Sequence, residues 1–370
     1  MNLSLAPWAS SNPSRFPELA GHLRAMRAML SVVRHGSTTR AAQAMHLSQP
    51  AVARSVLQLA EACGVPLFMR GARGMMPTPL GSQLAARIEA MLQHLGSGAA
   101  DAQAAATLAA KRPPLPERFA ETVPAGQLRA LVAIADCGSE SLAAQWLGLT
   151  QPAVHAALQG LETSLGMQLF YKLAFGTRLT PSGEALLRRV KLALAEVRGM
   201  DSDISAWRGE IRGCVVVGVL PLSVGIFLPR AVDSLAASHP DIEVSIVDGT
   251  YESLVQHLLS ADIDAIAGAL RADMPSDEVR QLHLFDDDLV VVAPAGHACL
   301  GCGQLVLEDL LQWPWVSPLP GTPADLAALV TGSYWGEDYR EERLWRPGVL
   351  VSFALDRALP PVERGDLVLV

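Results

Sequence analysis

The six residues LSQPAV at 47–52 return as LTQPAV at 149–154. Each phrase has the chemistry of a helix start. Ser48 or Thr150 can cap the first unpaired backbone amides, and Pro50 or Pro152 is tolerated in a first turn where its missing N–H would have had no partner. Sliding the chain by 102 residues extends the match without a gap from 26–84 onto 128–186, with 22 of 59 positions identical. The identities include Gly36/Gly138, Ala41/Ala143, Leu67/Leu169, Thr78/Thr180 and Gly81/Gly183. An internal duplication of one small domain is the economical explanation.

In the first copy, apolar residues from Leu23 to Val33 predict a helix that Gly36 ends, with Ser37 capping a second helix. Ala41 and Ala42 are small, as closely crossing helices require, and Leu47 plugs the next turn. A third helix starts at Ser48. Val52, Val56 and Leu59 fall on one face, expected to be buried, and the opposite face carries Gln49, Ala53 and Arg54. LFMRGARGMMPT at 67–78 reads as two short strands around Gly71 and Gly74, a wing hairpin with Arg70 and Arg73 at its tip. The chain is thus expected to hold two helix-turn-helix units with wings, at 21–96 and 126–180.

A chain of 370 residues exceeds one ordinary core, and 50% apolar with 18% charged residues describes a globular protein. Residues 1–20 are read as a loose tail: MNLSLAPWASSNPSRF lacks the basic start, apolar middle and cleavage site of a secretory signal, so a cytoplasmic location is expected. CVVVGVLPLSVGIFLP at 214–229 is too short for a spanning helix and is interrupted by Pro221 and Gly225, so no membrane partner is expected. Five cysteines, an odd number, form no disulfide framework and fit a reducing compartment. The net charge of −8 conceals a gradient: +6 over 21–95, zero over 126–207 and −15 over 213–370. The first copy is basic and the C-terminal half strongly acidic.

After Pro181, the residues Leu186, Val190, Ala193, Val197, Met200, Ile204, Trp207 and Ile211 step alternately by four and three, a heptad seam on a helix over 181–211. Such a stripe needs a partner. Pairing of two subunits through Leu186, Val190, Val197, Met200, Ile204 and Trp207 is the favoured expectation, with packing on the chain's own second wing as the alternative. The first copy has a shorter version, Leu84, Ile88, Met91 and Leu95, whose partner is either another subunit's copy or the second copy's helix. Between the copies, 97–125 reads as an Ala- and Pro-rich spacer, in which Pro113, Pro114 and Pro116 end any helix begun by the Ala run.

The paired Ala, the S/T-Q-P-A-V helix start, the G-x-x-L-F wing entry and the T-P-x-G start of a long helix are present in both 36–81 and 138–184. Both stretches resemble the winged DNA-binding domain of LysR-type transcriptional regulators. Most members carry one such domain, so the tandem is a departure. In that family the linker helix pairs two subunits, which implies a homo-oligomer, and the partner is double-stranded DNA. The resemblance puts Ser48, Gln49, Pro50, Ala53 and Arg54 at base- or backbone-facing positions, with Ala53 where the family often has Ser. Arg54 is suited to two hydrogen bonds to guanine, a phosphate contact or a solvated side chain being the alternatives. Arg70 and Arg73 are expected at phosphate or in the minor groove. In the second copy His155 and Ala156 replace polar and basic residues, leaving Gln151, Pro152, His155, Lys172 and Arg178 as its contacts. A weaker grip is expected there, and the copy's alternative role is that of a dimerisation platform.

From 213 onward strands alternate with helices, the pattern of a parallel α/β sheet. HPDIEVSIVDGTYESLVQHLLSADIDAIAGAL at 239–270 and LEDLLQWPWVSPLPGTP at 307–323 resemble the effector domain of the same family, which has the fold of periplasmic solute-binding proteins. That resemblance implies a small-molecule effector between two lobes, near Ser223, Thr250 and Thr322, although a Ser or Thr at such a place also serves as a plain helix cap. The stretch after 352 is short for the fold, so the effector domain, 213–370, is expected to be incomplete. The expected architecture is α/β overall, with two mainly α winged domains joined by a long linker helix to this effector domain.

HACLGC at 297–302 offers one His and two Cys with no second ligand pair nearby, and DDD at 286–288 reads as a solvated turn, so no metal is expected. No phosphate loop, dinucleotide fingerprint, nucleophile elbow or paired acid and base is present, so neither a cofactor nor a catalytic residue is assigned. A DNA-binding regulator accounts for the duplication, the basic first copy and the acidic C-terminal half. A solute-binding module without DNA binding, the second reading, accounts only for the last third.

Overall fold

The computed structural model describes residues 16–71, 74–106, 115–173, 176–220 and 227–271 continuously, shorter stretches from 276 to 316, and Leu367–Leu369. It divides into two compact units. The first takes in residues up to 215 with 239–245 and 260–263, and the second takes in 216–238, 246–259 and the residues from 264 onward.

In the first unit a 3-10 turn, Glu18–His22, leads into α1 (Leu23–His35), α2 (Thr38–Ala44), α3 (Gln49–Cys63), the hairpin β1 (Phe68–Gly71) and β2 (Gly74–Pro77), and α4 (Pro79–Ala104). After α5 (Pro116–Thr122) the order repeats as α6 (Ala125–Cys137), α7 (Glu140–Leu147), α8 (Gln151–Leu165), β3 (Phe170–Leu173), β4 (Gly176–Leu179) and α9 (Pro181–Trp207). Ser37 caps α2 by accepting from the Arg40 amide at 3.5 Å. Ser48 stands at the N-cap of α3 without a side-chain bond, so only its carbonyl, accepting from Ala51 and Val52 at 3.0 and 3.2 Å, closes the first turn. Val52, Val56 and Leu59 are buried, the first two against Ala28, Val32, Ala41 and Ala42.

The T-P-x-G phrase has a packing reason. Thr78 accepts from the Gly81 amide at 2.9 Å and donates to the Pro66 carbonyl at 3.1 Å, tying the start of α4 to the strand entry. Thr180 does the same with Gly183 at 3.1 Å and Gln168 at 3.0 Å. A β-carbon at Gly81 would run into the Leu67 carbonyl oxygen, and one at Gly183 into that of Leu169.

The partner of the heptad stripe is inside the chain. α4 and α9 make the most extensive helix contact among the described residues, with Leu84, Ile88, Met91 and Leu95 in one buried cluster with Leu186, Val190, Val197, Met200 and Ile204. In the structure these residues lie against the first copy's own long helix, the pairing left open for the shorter stripe of α4, rather than against a second subunit. Trp207, the last residue of α9, stands 54% exposed outside that seam. Part of the stretch read as a spacer is ordered structure: residues 97–104 continue α4, and Phe119, Ala120 and Val123 are buried.

The Arg27 side chain holds α5 in place, donating to the Ala120 and Val123 carbonyls at 2.9 Å each. Burial lowers its guanidinium to about 10, opposed by nearby Glu121. Arg27→Ala strands both carbonyls and is expected to cost about 2–4 kcal/mol, read as a lower urea midpoint with part of the loss recovered by Arg27→Lys.

In the C-terminal part β5 (Gly213–Val219), α10 (Phe227–Ser238), β6 (Ile242–Asp248), α11 (Tyr251–Leu259) and β7 (Ala265–Ala267) alternate, with sheet order β6-β5-β7. β5 and β7 run parallel, Val217 opposite Ala265, as alternation through a helix requires. The short strands β8 (Val291–Val292), β9 (Trp315–Val316) and β10 (Leu367–Leu369) form a second sheet with β10 central.

Candidate nucleic-acid interface

A helix reads DNA only with its uncovered face, so the burial of Val52, Val56 and Leu59 decides which side chains of α3 are available. Ser48, Gln49, Pro50 and Arg54 are exposed and Ala53 is half-exposed, forming one continuous surface at the start of the helix. Arg40 of α2 is exposed as well. Arg70 lies on β1, and Arg73 lies outside the described residues. In α8 the pattern recurs: Val154, Leu158 and Leu161 are buried, Gln151, Pro152 and Ala156 exposed, and His155 half-exposed. Lys172 on β3 and Arg178 on β4 are exposed.

Two residues that the sequence reading missed orient these faces. Gln49 donates through Nε2 to the Thr38 hydroxyl at 3.3 Å. At the matching position of the second copy stands Glu140, whose carboxylate lies 3.1 and 3.2 Å from His155 Nδ1 and 4.0 Å from Lys172 Nζ. The signal was present in the 102-residue shift that aligns Thr38 with Glu140. Its meaning needed the turn that brings the start of the second helix beside the third. Electrostatically the faces differ. The first offers Arg54 and Arg40, whereas the second spends His155 and Lys172 on a carboxylate, which lowers its attraction for phosphate.

Of the residues assigned to an effector, Thr250 accepts from the Ser253 amide at 3.3 Å and so caps α11. Ser223 and Thr322 lie outside the described residues. Among the described residues no group of three His, Cys, Asp or Glu is placed to hold a metal, and no helix is long and apolar enough to cross a membrane.

Comparison with known proteins agrees with both halves of the chain. Residues 23–82 and 125–184 each match the bacterial regulatory helix-turn-helix protein, lysR family, and 208–341 match the LysR substrate binding domain. The HTH-type transcriptional regulator GalR of Pseudomonas putida is 34% identical over 304 residues, 82% of this chain and 74% of that protein. The HTH-type transcriptional regulator TdcA of Escherichia coli is 30% identical over 181 residues, 49% of this chain and 57% of its own length. Among solved structures, full-length CbnR complexed with its target DNA is 23% identical, with 56% of this chain and 71% of that one covered and a TM-score of 0.40.

Proposed function

The chain belongs to the LysR family of bacterial helix-turn-helix regulators and is a DNA-binding regulator of transcription with a LysR substrate binding domain, and from that premise we propose how its two copies divide the work. The first copy supplies most of the grip on duplex DNA. Gln49 and Arg54 meet base edges, Ser48, Pro50 and Ala53 pack along the groove wall, and Arg70 and Arg73 meet phosphate. The second copy contributes Gln151, Pro152, His155, Lys172 and Arg178 with less electrostatic attraction. The observation that carries this division is the carboxylate of Glu140, set against His155 and Lys172 where the first copy has Thr38.

Non-specific affinity comes from neutralising phosphates, so a missing cation weakens binding to all sequences and flattens the salt slope. In a titration of the regulator's own promoter DNA, Arg54→Ala and Arg70→Ala are expected to weaken binding about ten-fold each, and His155→Ala and Lys172→Ala a few-fold at most. The reverse order removes the proposed division.

The second unit responds to a small-molecule effector held near Ser223, Thr250 and Thr322, which the match to the LysR substrate binding domain supports. The protein acts in the cytoplasm without enzymatic activity. Association into homo-oligomers uses surfaces other than the α4–α9 seam, which is filled within one chain.

A further inference from the structure

The contacts between the two copies come in matched pairs. Arg87 of α4 is hydrogen-bonded to Asp203 of α9, and Arg189 of α9 to Asp101 of α4 at 2.8 Å. A shift of 102 residues turns Arg87 into Arg189 and Asp101 into Asp203, so these are one interaction made twice, as across a two-fold axis. The helices therefore run antiparallel, the early part of each against the late part of the other. A second pair agrees. Arg27 grips the segment preceding the second copy through the Ala120 and Val123 carbonyls. Its counterpart Arg129 lies over Phe16, in the segment preceding the first copy, 5.9 Å from the ring centroid.

The ion pairs set the direction, and the sizes of the side chains set the partner. Gly98 of α4 corresponds to Met200 of α9, and Ala102 to Ile204. A β-carbon on Gly98 would already lie 2.9 Å from the Arg189 β-carbon and 3.3 Å from Leu186 Cδ1. Two α9 helices paired in this register would drive Met200 into that place, and two α4 helices would leave Gly98 where Met200 now fills the seam. Each long helix is shaped for the unlike copy in its own chain.

We propose that a single chain is a complete two-headed reader, whose paired copies engage two unlike half-sites on one duplex, so that its recognition unit is not palindromic. The proposal rests on the DNA-binding reading above. In dimeric helix-turn-helix proteins two heads related by a two-fold axis address half-sites at a fixed spacing, and the paired ion contacts of α4 and α9 give the two heads of this chain the same kind of relation. Identical heads would read identical half-sites, but these heads differ where reading occurs. Arg54 corresponds to Ala156, Ala53 to His155 and Thr38 to Glu140. The Arg54 guanidinium suits the O6 and N7 acceptors of guanine, whereas the Ala156 methyl at the matching place suits the thymine methyl. Because the heads are joined in one chain, binding by one raises the effective concentration of the other without any second molecule.

The test is selection from a randomised DNA duplex with the full-length chain, repeated with Arg54→Ala, Gln151→Ala and Ala156→Arg, all exposed positions outside the core. The wild type is expected to enrich a unit of two unlike blocks at constant spacing. Arg54→Ala should lose guanine preference in one block by about ten-fold or more, Gln151→Ala should relax the other, and Ala156→Arg should shift that other block towards guanine. A single block indifferent to Gln151→Ala, or two identical inverted blocks that respond together to Arg54→Ala, overturns the two-headed reader while leaving DNA binding intact. Absence of any enrichment with the wild type overturns the DNA-binding reading and this proposal with it.

Discussion

Ile88→Asp is expected to destroy the cooperative unfolding of the N-terminal unit. Ile88 is fully buried in the α4–α9 seam, so the substitution removes a well-packed side chain and places a carboxylate among apolar side chains. Loss of the aliphatic side chain alone costs about 2–5 kcal/mol, and the unpaired charge adds several more, against a total domain stability of about 5–15 kcal/mol. Circular dichroism through a urea titration should show an early, broad loss of helix, while Ile88→Val costs only about 0.5–1.5 kcal/mol and keeps the transition sharp. Because the same seam joins the two heads, Ile88→Asp should also remove binding to any duplex carrying both half-sites. An unchanged midpoint for Ile88→Asp would mean that α4 and α9 do not meet in solution.

Gly81→Ala, a change of one methyl group, is expected to cost about 3 kcal/mol. The new β-carbon collides with the Leu67 carbonyl oxygen, and that oxygen belongs to backbone that already receives the Thr78 amide at 3.0 Å, so it cannot swing aside as a flexible side chain would. Gly183→Ala meets the Leu169 carbonyl in the same way and should cost a similar amount. Gly126→Ala supplies the contrast. Its β-carbon meets nothing within 4 Å, and alanine suits the start of α6, so stability should hold or rise slightly. Thermal denaturation of the three variants side by side reads the comparison, and equal midpoints for Gly81→Ala and Gly126→Ala would refute the close backbone approach.

Much of the site was legible along the chain because its signals are short-range. The helix start at Ser48–Pro50, the spacing of Val52, Val56 and Leu59, and the wing glycines act over a few residues, and the structure keeps Gln49, Arg54 and Gln151 on open faces. The roles of Thr38 and Glu140 were not legible. A residue at the start of one helix gains meaning only when a turn sets it against the next, and the carboxylate that engages His155 lies 15 positions away.

By itself the sequence determined that one small helical domain is written twice, that strands and helices alternate after it, and that α9 carries a stripe demanding cover. It did not determine what covers the stripe. An apolar seam gains the same free energy per buried area whichever helix lies on it, so periodicity is silent about the partner. Only the tertiary structure chose, through ion pairs between residues about a hundred positions apart and through the fit of Gly98 beside Leu186 and Arg189, where the corresponding Met200 would not go.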